Sequence, residues 1–331
     1  MHSWLRAMNP RQDFQEPVAA LCERALGPQR AGHAIFRHAF VPGILAILAV
    51  SWSYREQSTR VLRAWSIPID FTSMALLVSI LFVWFAEQAY PEKEEWNYQL
   101  LSDGAHGWNR LGRDVLYLFG IAQVSALLLK ATAPYLKSTI ASFGLDLPHA
   151  LWPSASPFLV RVLLAFLVVE FFSYWLHRAC HHFQFLWQFH STHHVVTELN
   201  GLKALRTHPI ENVFFYIVRS APLMLVGAGL DEVLAVAYFG SVLSVLAHAN
   251  INVSEGYLGL LVNFPRYHAI HHSSNVVENK NNFGCHTILW DRIFGTFRRS
   301  FQQAPEIGVH GMGPRSLWQE LAWPFYRSIT Y

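Results

Sequence analysis

Six apolar stretches dominate this 331-residue chain and limit the folds that it can adopt. They are residues 34–52, 69–86, 115–131, 157–175, 210–230 and 233–247. A helix of about 20 mostly apolar residues can span a bilayer. Only 14% of the residues are charged, whereas a soluble domain carries about 25%. The sequence therefore predicts an all-α, polytopic membrane helical bundle with four to six spans, and it disfavours a soluble protein whose core helices are simply buried.

Two of the six stretches are weaker candidates for spans. Residues 34–52 include Arg37 and His38, and residues 233–247 number only about 15, below the usual range for a span. Either stretch could be a partial or re-entrant segment. Residues 1–33 form a polar arm without the basic start and immediate apolar core of a secretory signal, so we expect them to belong to the mature protein.

The distribution of positive charge predicts the orientation. If all six stretches cross, most of the 25 lysine and arginine residues lie on one face, together with the histidine-rich segments. Positive residues concentrate on the cytoplasmic side of membrane proteins. One cluster does not follow this asymmetry, because it would lie on the opposite face: Arg55, Arg60 and Arg63. The discrepancy would vanish if the first stretch did not cross the membrane. We expect a cytoplasmic helical cap that contains the histidines. Without a lysine-rich block, the net charge of +3 does not indicate a nucleic-acid partner.

Histidine is unusually abundant, with 18 residues, and half of them form three clusters. The clusters are His177, His181 and His182; His190, His193 and His194; and His268, His271 and His272. Residues three or four apart share one face of a helix. Two apolar stretches separate the second cluster from the third, so both clusters return to the same side of the membrane. This arrangement predicts a metal site. We expect ordinary polar roles for His2, His33, His38, His106, His149 and His310.

The ligand types narrow the choice of metal. Imidazole suits zinc, copper, iron and nickel, and eight or nine histidines are too many for one centre, so two ions with about four histidines each are expected. Structural zinc commonly recruits cysteine, but Cys22, Cys180 and Cys285 are far apart in the sequence. Because aromatic residues adjoin the clusters at the edge of the lipid phase, redox iron that acts on a lipid chain fits better.

Several motifs then point to a known family. They are Tyr174-Trp175-x-His177-Arg178-x-x-His181, Leu186-Trp187-x-x-His190-x-x-His193-His194, His268-x-x-His271-His272, Asn281-Asn282-Phe283-Gly284 and Trp290-Asp291-Arg292-Ile293-Phe294-Gly295-Thr296. Over about residues 157–298 the chain resembles the sterol desaturase/fatty acid hydroxylase superfamily. That resemblance implies an integral membrane, histidine-ligated di-iron enzyme that uses O2 and supplied electrons. We expect a catalytic membrane domain at residues 114–300 and a tail at 301–331. The resemblance does not extend to the polar arm 1–33 or to residues 34–113, which look like an additional N-terminal membrane segment.

The resemblance also implies site residues. The implied metal ligands are His177, His181, His190, His193, His194, His248, His268, His271 and His272. Next to the ligands we expect His182, His208, Asn282 and Asp291. Asn282 and Asp291 could accept hydrogen bonds from ligand N–H groups, and His208 could instead cap the helix that begins at Pro209. Asp291 could equally form an ion pair with Arg292.

The implied activity is hydroxylation of an unactivated C–H bond of a lipid, with two Fe²⁺ ions and O2. Desaturation at the same site remains an alternative, and a histidine-rich metal transporter is an alternative of another class. Transporters place ligands near the mid-bilayer, whereas these clusters follow the ends of spans. The sequence has no dinucleotide-binding fingerprint and no cysteine set for an iron–sulfur cluster. We therefore expect a separate electron donor, either a ferredoxin or a b-type cytochrome with its reductase. We expect the protein itself to lie in a bacterial inner membrane. A fatty acyl chain, a sterol and a bacterial membrane lipid remain possible substrates.

Overall fold

A computed structural model of the chain describes residues 28–65, 71–98, 100, 104–121, 151–299, 305–309 and 316–326, with isolated positions between 124 and 142. Most of the N-terminal arm, part of stretch 115–131, much of the tail, and His2, His149 and His310 lie outside the described residues. The α-helices are, in chain order, α1 (Pro28–Ser53), α2 (Arg55–Ala64), α3 (Phe71–Ala89), α4 (Ala105–Leu116), α5 (Phe158–Cys180), α6 (Gln184–His194), α7 (Pro209–Val226), α8 (Leu230–His248), α9 (Pro265–His271), α10 (Leu289–Phe294) and α11 (Leu317–Tyr326).

In the described part of the chain, four helices are long and apolar enough to cross a membrane. They are His33–Ser53 within α1, and the helices α5, α7 and α8, while the apolar part of α3, Ser73–Ala89, is shorter. Among the described residues, β-structure is limited to isolated bridges. The prediction of an all-α membrane bundle with four to six spans is therefore confirmed.

The sixth apolar stretch forms a longer helix than its hydropathy predicts. Helix α8 has 19 residues, which cover about 28 Å at 1.5 Å per residue, close to the ~30 Å hydrocarbon core. It begins before Asp231 and Glu232, whose charges are favourable in the first turn of a helix. Arg161 of α5 pairs with Glu232 at 2.8 Å. The apolar stretch read from hydropathy begins only after these two acids, whereas the helix includes them.

Contacts at its two ends show that α1 runs the length of the bundle. Just after α1, Arg55 lies 3.4 Å from Asp231, in the first turn of α8. Near the other end of α1, the ring of Phe36 stacks on Tyr90, just beyond α3, with centroids 4.0 Å apart. The first stretch therefore extends from one end of the spans to the other, in spite of Arg37 and His38.

A layer of short helices covers one end of the spans and contains the clustered histidines. It consists of α6, a 3₁₀ helix (Gly201–Leu205) and α9, packed on α5 and α8. Glu87, near the end of α3, ties the N-terminal segment to this layer, because its Oε1 accepts from the backbone N–H groups of Gly201 (2.6 Å) and Asn250 (2.8 Å).

Candidate metal centre

Five histidines from three helices point their Nε2 atoms at one another. This five-histidine group consists of His177, His181, His190, His194 and His271. The Nε2 atom of His190 lies 3.0 Å from that of His177, 3.1 Å from that of His181 and 3.0 Å from that of His194. His271 approaches His177 at 2.9 Å. All five side chains are buried, so the nitrogens converge in a space that protein atoms enclose.

Four further histidines form a second convergence beside the first. This four-histidine group consists of His193, His248, His268 and His272. Nε2 of His248 lies 3.1 Å from Nε2 of His193 and 2.9 Å from Nε2 of His268, while His272 and His268 are 3.2 Å apart. His248 is the last residue of α8, so the extra length of that helix places its ring in the group.

Neighbouring residues on one helix serve different groups. His193 and His194 both belong to α6, and His271 and His272 lie at the end of α9. Successive residues of a helix point about 100° apart, so each helix reaches both groups. The rings of His194 and His272 stack with centroids 4.3 Å apart. All nine histidines singled out from the sequence are thus brought together, as five and four rather than about four each.

Hydrogen bonds at the opposite ring nitrogens fix how several rings are protonated. The Nδ1 atom of His177 donates to the carbonyl of Phe283 (2.6 Å), and that of His271 donates to the carbonyl of Asn281 (2.9 Å). In the second group, His248 donates in the same way to the carbonyl of Ser244 at 2.8 Å. A neutral ring that donates through Nδ1 carries a lone pair on Nε2. These rings are therefore oriented as ligands.

Glu211 was not recognised from the sequence as part of this region. Its Oε1 lies 2.5 Å from Nδ1 of His190. The sulfur of Cys180 lies within 4.8 Å of the carboxylate of Glu211 and of a ring nitrogen of His190. Glu211 is in the first turn of α7, two residues after Pro209, the first residue of the helix. The signal was the sequence His208-Pro209-Ile210-Glu211, because a proline that starts a helix fixes where its first turn points.

Burial keeps the histidines outside the spans neutral. Loss of solvation lowers the pKa of His190 to about 3 and that of His193 to about 4. It lowers the pKa values of His194, His268 and His272 well below their ordinary value, and neighbouring histidines lower them further. Only the neutral ring can bind a metal ion. These rings are therefore in the ligand form near pH 7.

Asn282 and Asp291 act on the backbone rather than on the ligand rings. Asp291 accepts from the backbone N–H groups of Phe283 (2.8 Å) and Gly284 (2.7 Å), and burial raises its pKa to about 6. Asn282 has φ +56° and donates to the carbonyl of Tyr267 at 2.9 Å. We expected these side chains to accept hydrogen bonds from ligand N–H groups, but no such bond is found among the described residues. Instead, both residues shape the turn whose Phe283 carbonyl holds His177.

Gly284 is required for this turn. A Cβ atom at this position would lie 1.7 Å from the carbonyl oxygen of Thr287. No side chain can be accommodated at that separation, because the obstacle is backbone.

The two other histidines expected near the ligands lie elsewhere. His182 is exposed and its ring contacts Phe183. His208 caps α7 by accepting from the backbone N–H of Ile210, and its Nε2 donates to the carbonyl of Leu321 in α11. The capping alternative therefore describes His208, and neither ring joins the two groups.

A buried set of charges connects the histidine layer to the C-terminal helix. The carbonyl of Arg206 accepts from Nδ1 of His193 at 3.3 Å, while its guanidinium forms a short ion pair with Glu320 of α11. Tyr117 donates to the same carboxylate at 2.8 Å. Lys203 is buried beside Asp114, with an N–O distance of 2.6 Å. This set could not be predicted from the sequence, because Arg206 and Glu320 are 114 residues apart.

Two groups of converging histidines at the end of apolar helices define a membrane protein with a histidine-rich metal centre. Residues 162–296 match the fatty acid hydroxylase family. The chain is 28% identical to ornithine lipid hydroxylase of Rhizobium tropici, across 77% of this chain and 76% of that protein. It is 31% identical to alkylglycerol monooxygenase of Danio rerio and 28% identical to Δ7-sterol-C5(6)-desaturase of Nicotiana tabacum. These matches confirm the predicted resemblance to the sterol desaturase/fatty acid hydroxylase superfamily, with the family model covering residues 162–296.

The extent of these matches differs. The match to alkylglycerol monooxygenase covers 47% of this chain and 34% of that enzyme, and the match to the desaturase covers 43% and 51%. No solved structure matches the chain. The relatives together support an oxidoreductase that acts on lipids, by hydroxylation or desaturation.

Proposed function

We propose that this protein is a membrane di-iron oxygenase that hydroxylates an unactivated C–H bond of a lipid. The observation that carries the proposal is the convergence of lone pairs. His177 and His271 both donate through Nδ1, so their Nε2 atoms face each other at 2.9 Å with no proton between them. Two such lone pairs repel, and a cation bound between them removes the repulsion.

The size of the five-histidine group favours iron over zinc. Zinc sites have four protein ligands when structural and three when catalytic, whereas five histidine nitrogens converge in this group. Imidazole ligands suit iron. Five histidines would hold one ion and four histidines the other.

The residues of the chain hold and shield the centre. When bound, two iron ions would supply the reduction of O2 and the oxidation of a C–H bond. The backbone carbonyls of Phe283, Asn281 and Ser244 keep three rings in the tautomer that binds metal. Glu211 accepts the Nδ1 proton of His190 and increases the basicity of that ring. Burial of all nine rings excludes bulk water. Electrons would come from a separate ferredoxin or b-type cytochrome.

The relatives support hydroxylation of a membrane lipid. A relative that is matched along 76% of its length is a bacterial ornithine lipid hydroxylase, and alkylglycerol monooxygenase also adds oxygen to a lipid, by its name. The desaturase among the relatives keeps desaturation as the second candidate. We propose a bacterial membrane as the location, because that hydroxylase is bacterial, and the cytoplasmic side for the histidine layer, because positive residues favour that side.

The first experiment measures metal and product together. The protein is purified anaerobically with iron supplied, and its iron content is determined. Lipids from cells with and without the protein are compared by mass spectrometry. We expect two iron ions per chain and a lipid heavier by one oxygen. A lipid lighter by two hydrogens would indicate desaturation. A metal-loaded protein that moves iron across vesicles and modifies no lipid would indicate a transporter.

A labelling experiment tests the orientation. Single cysteines at Thr197 and at Asn275, two residues after Ser273, should react with the same reagent applied from the cytoplasmic side, because both positions are exposed and follow the histidine layer. Labelling of the two positions from opposite faces would contradict a single centre. Labelling of both from the outside would reverse the proposed orientation.

A further inference from the structure

An arginine lies inside an apolar span close to the five-histidine group. Arg219 belongs to α7, and its Nε donates to Oγ of Ser173 in α5 at 3.0 Å. Its guanidinium carbon is 4.8 Å from the ring centroid of Phe215. All of these partners are neutral.

The positive charge of Arg219 has no anionic partner in contact. Among the described residues, no carboxylate oxygen lies within 4.0 Å of its guanidinium. The buried carboxylates on the same two helices contact other residues, since Oε1 of Glu211 lies 2.5 Å from Nδ1 of His190 and Oε1 of Glu170 lies 2.5 Å from Nδ1 of His286. A charged group within a span is costly, and such residues usually face a partner or a pathway for a substrate. Arg161 also lies within a span, in α5, but it differs from Arg219 because it is paired with the carboxylate of Glu232.

The position of the guanidinium relates it to the metal centre. Ser173 precedes His177 by four residues on α5, a rise of about 6 Å. The ring of Phe215, on which the guanidinium lies, is 6.3 Å from the ring of His177. Residues 212–222 of α7 are all half-buried, so this side of the helix is partly accessible from the lipid phase. The guanidinium is thus one helical turn from a histidine of the five-histidine group, towards the bilayer interior.

We propose that Arg219 binds an anionic group of the lipid substrate, a carboxylate or a phosphate. The inference rests on the proposed function and names the substrate class for the same site. A guanidinium offers a planar fork of N–H donors that matches such an anion. With its anionic group one helical turn from His177, the lipid presents carbons near that group to the metal centre. The new oxygen is therefore placed close to the charged end of the lipid and away from its terminal methyl group.

Binding is tested first, without turnover. The probes are oleate and oleyl alcohol, which share a chain and differ in charge, added in detergent micelles to purified iron-loaded protein. We expect oleate to raise the thermal unfolding midpoint of the wild type more than oleyl alcohol does. In Arg219→Gln the affinity for oleate should fall about tenfold, as expected for the loss of a charged hydrogen bond. Arg219→Lys should restore part of it. Arg161→Gln, the matched control within a span, should keep the preference for oleate.

The position of the oxygen gives the second measurement. Tandem mass spectrometry of the wild-type product should locate the oxygen near an anionic group. Equal binding of oleate and oleyl alcohol by the wild type, unchanged oleate affinity in Arg219→Gln, or an oxygen on an uncharged lipid would each overturn the inference. A wild type that prefers oleate and oxygenates no lipid would instead overturn the proposed function, which separates the two failures.

Discussion

The two histidine groups adjoin each other, but the protein holds them differently. In the five-histidine group, the Nδ1 partner of His190 is a carboxylate, and the partners of His177 and His271 are carbonyls of one turn, residues 281–284. The four-histidine group has no anionic partner among the described residues. Its partners are the carbonyl of Ser244, the more distant carbonyl of Arg206 at 3.3 Å, and the side-chain nitrogen of Asn263, 3.2 Å from His268.

This difference indicates unequal affinity for metal. A carboxylate behind a ligand histidine increases the basicity of the ring and fixes its orientation. The five-histidine group has one more ring as well as this carboxylate. We therefore expect the four-histidine group to bind its ion more weakly and to lose it first. The following predictions test that difference.

Removal of one ring from either group should have the largest effect. His271→Ala removes a ring from the five-histidine group, and His193→Ala removes one from the four-histidine group. Both variants should lose lipid oxygenation to background, because each ion needs its partner ion for the reaction. Each should lose one of the two ions in elemental analysis. His106→Ala, at an exposed position, should keep both ions and full activity. Activity in all three variants would refute the assignment.

Gly284→Ala should disable the five-histidine group alone. The added methyl would collide with the carbonyl of Thr287 and displace the turn that holds His177 and His271. Iron content should fall to the ion of the four-histidine group, with oxygenation abolished. Gly295→Ala is the control, since its Cβ meets open space and only the positive φ of +73° is penalised, by about 1–2 kcal/mol. Identical losses in both variants would contradict the role given to this turn.

Glu211→Gln should weaken the five-histidine group without changing its shape. The amide no longer supplies a negative charge behind His190, and loss of such a partner typically lowers metal affinity about 10–100-fold. Competition with a chelator measures the affinity of each ion. Glu170→Gln is the matched control, because Glu170 contacts His286, which belongs to neither group. If Glu211→Gln left both affinities unchanged, the proposed asymmetry would have another cause.

Glu320→Gln should have the smallest effect, limited to the four-histidine group. It removes the charge that holds the Arg206 side chain, and through it the carbonyl behind His193. We expect about tenfold weaker binding of the second ion, at the lower end of the range for partners of ligand residues. Glu306→Gln, at an exposed position, should be neutral. Weaker binding at the five-histidine group instead would show that α11 acts through α6 as a whole.

The sequence predicts the histidines well because their spacing is a local property. His190, His193 and His194 share a helix, so periodicity alone predicts that they lie on one side of it. The membership of each group could not be predicted in this way, because the division of His193 from His194 depends on how α6, α8 and α9 pack. Hydropathy gave α8 too few residues because it treats Asp231 and Glu232 as the end of a span, although a helix N-terminus favours acids.

The residues that support the rings were the least predictable. The ion pair of Arg206 with Glu320, and the contact of Glu211 with His190, join segments that are distant in the chain or carry no motif. Asn282 and Asp291 were recognised by their motif, but the motif does not specify which atoms they contact. Their role became evident only from the turn that they form.

The order of the ligands along the chain has a consequence for biogenesis. The first histidine of the centre is His177 and the last is His272, with both α7 and α8 between them. During synthesis neither group is complete until these two helices have been inserted and residue 272 has left the ribosome. Glu320, which supports the four-histidine group through Arg206, is synthesised later still. The full set of ligands therefore exists only after membrane insertion, and the support of the four-histidine group is the last part to be synthesised.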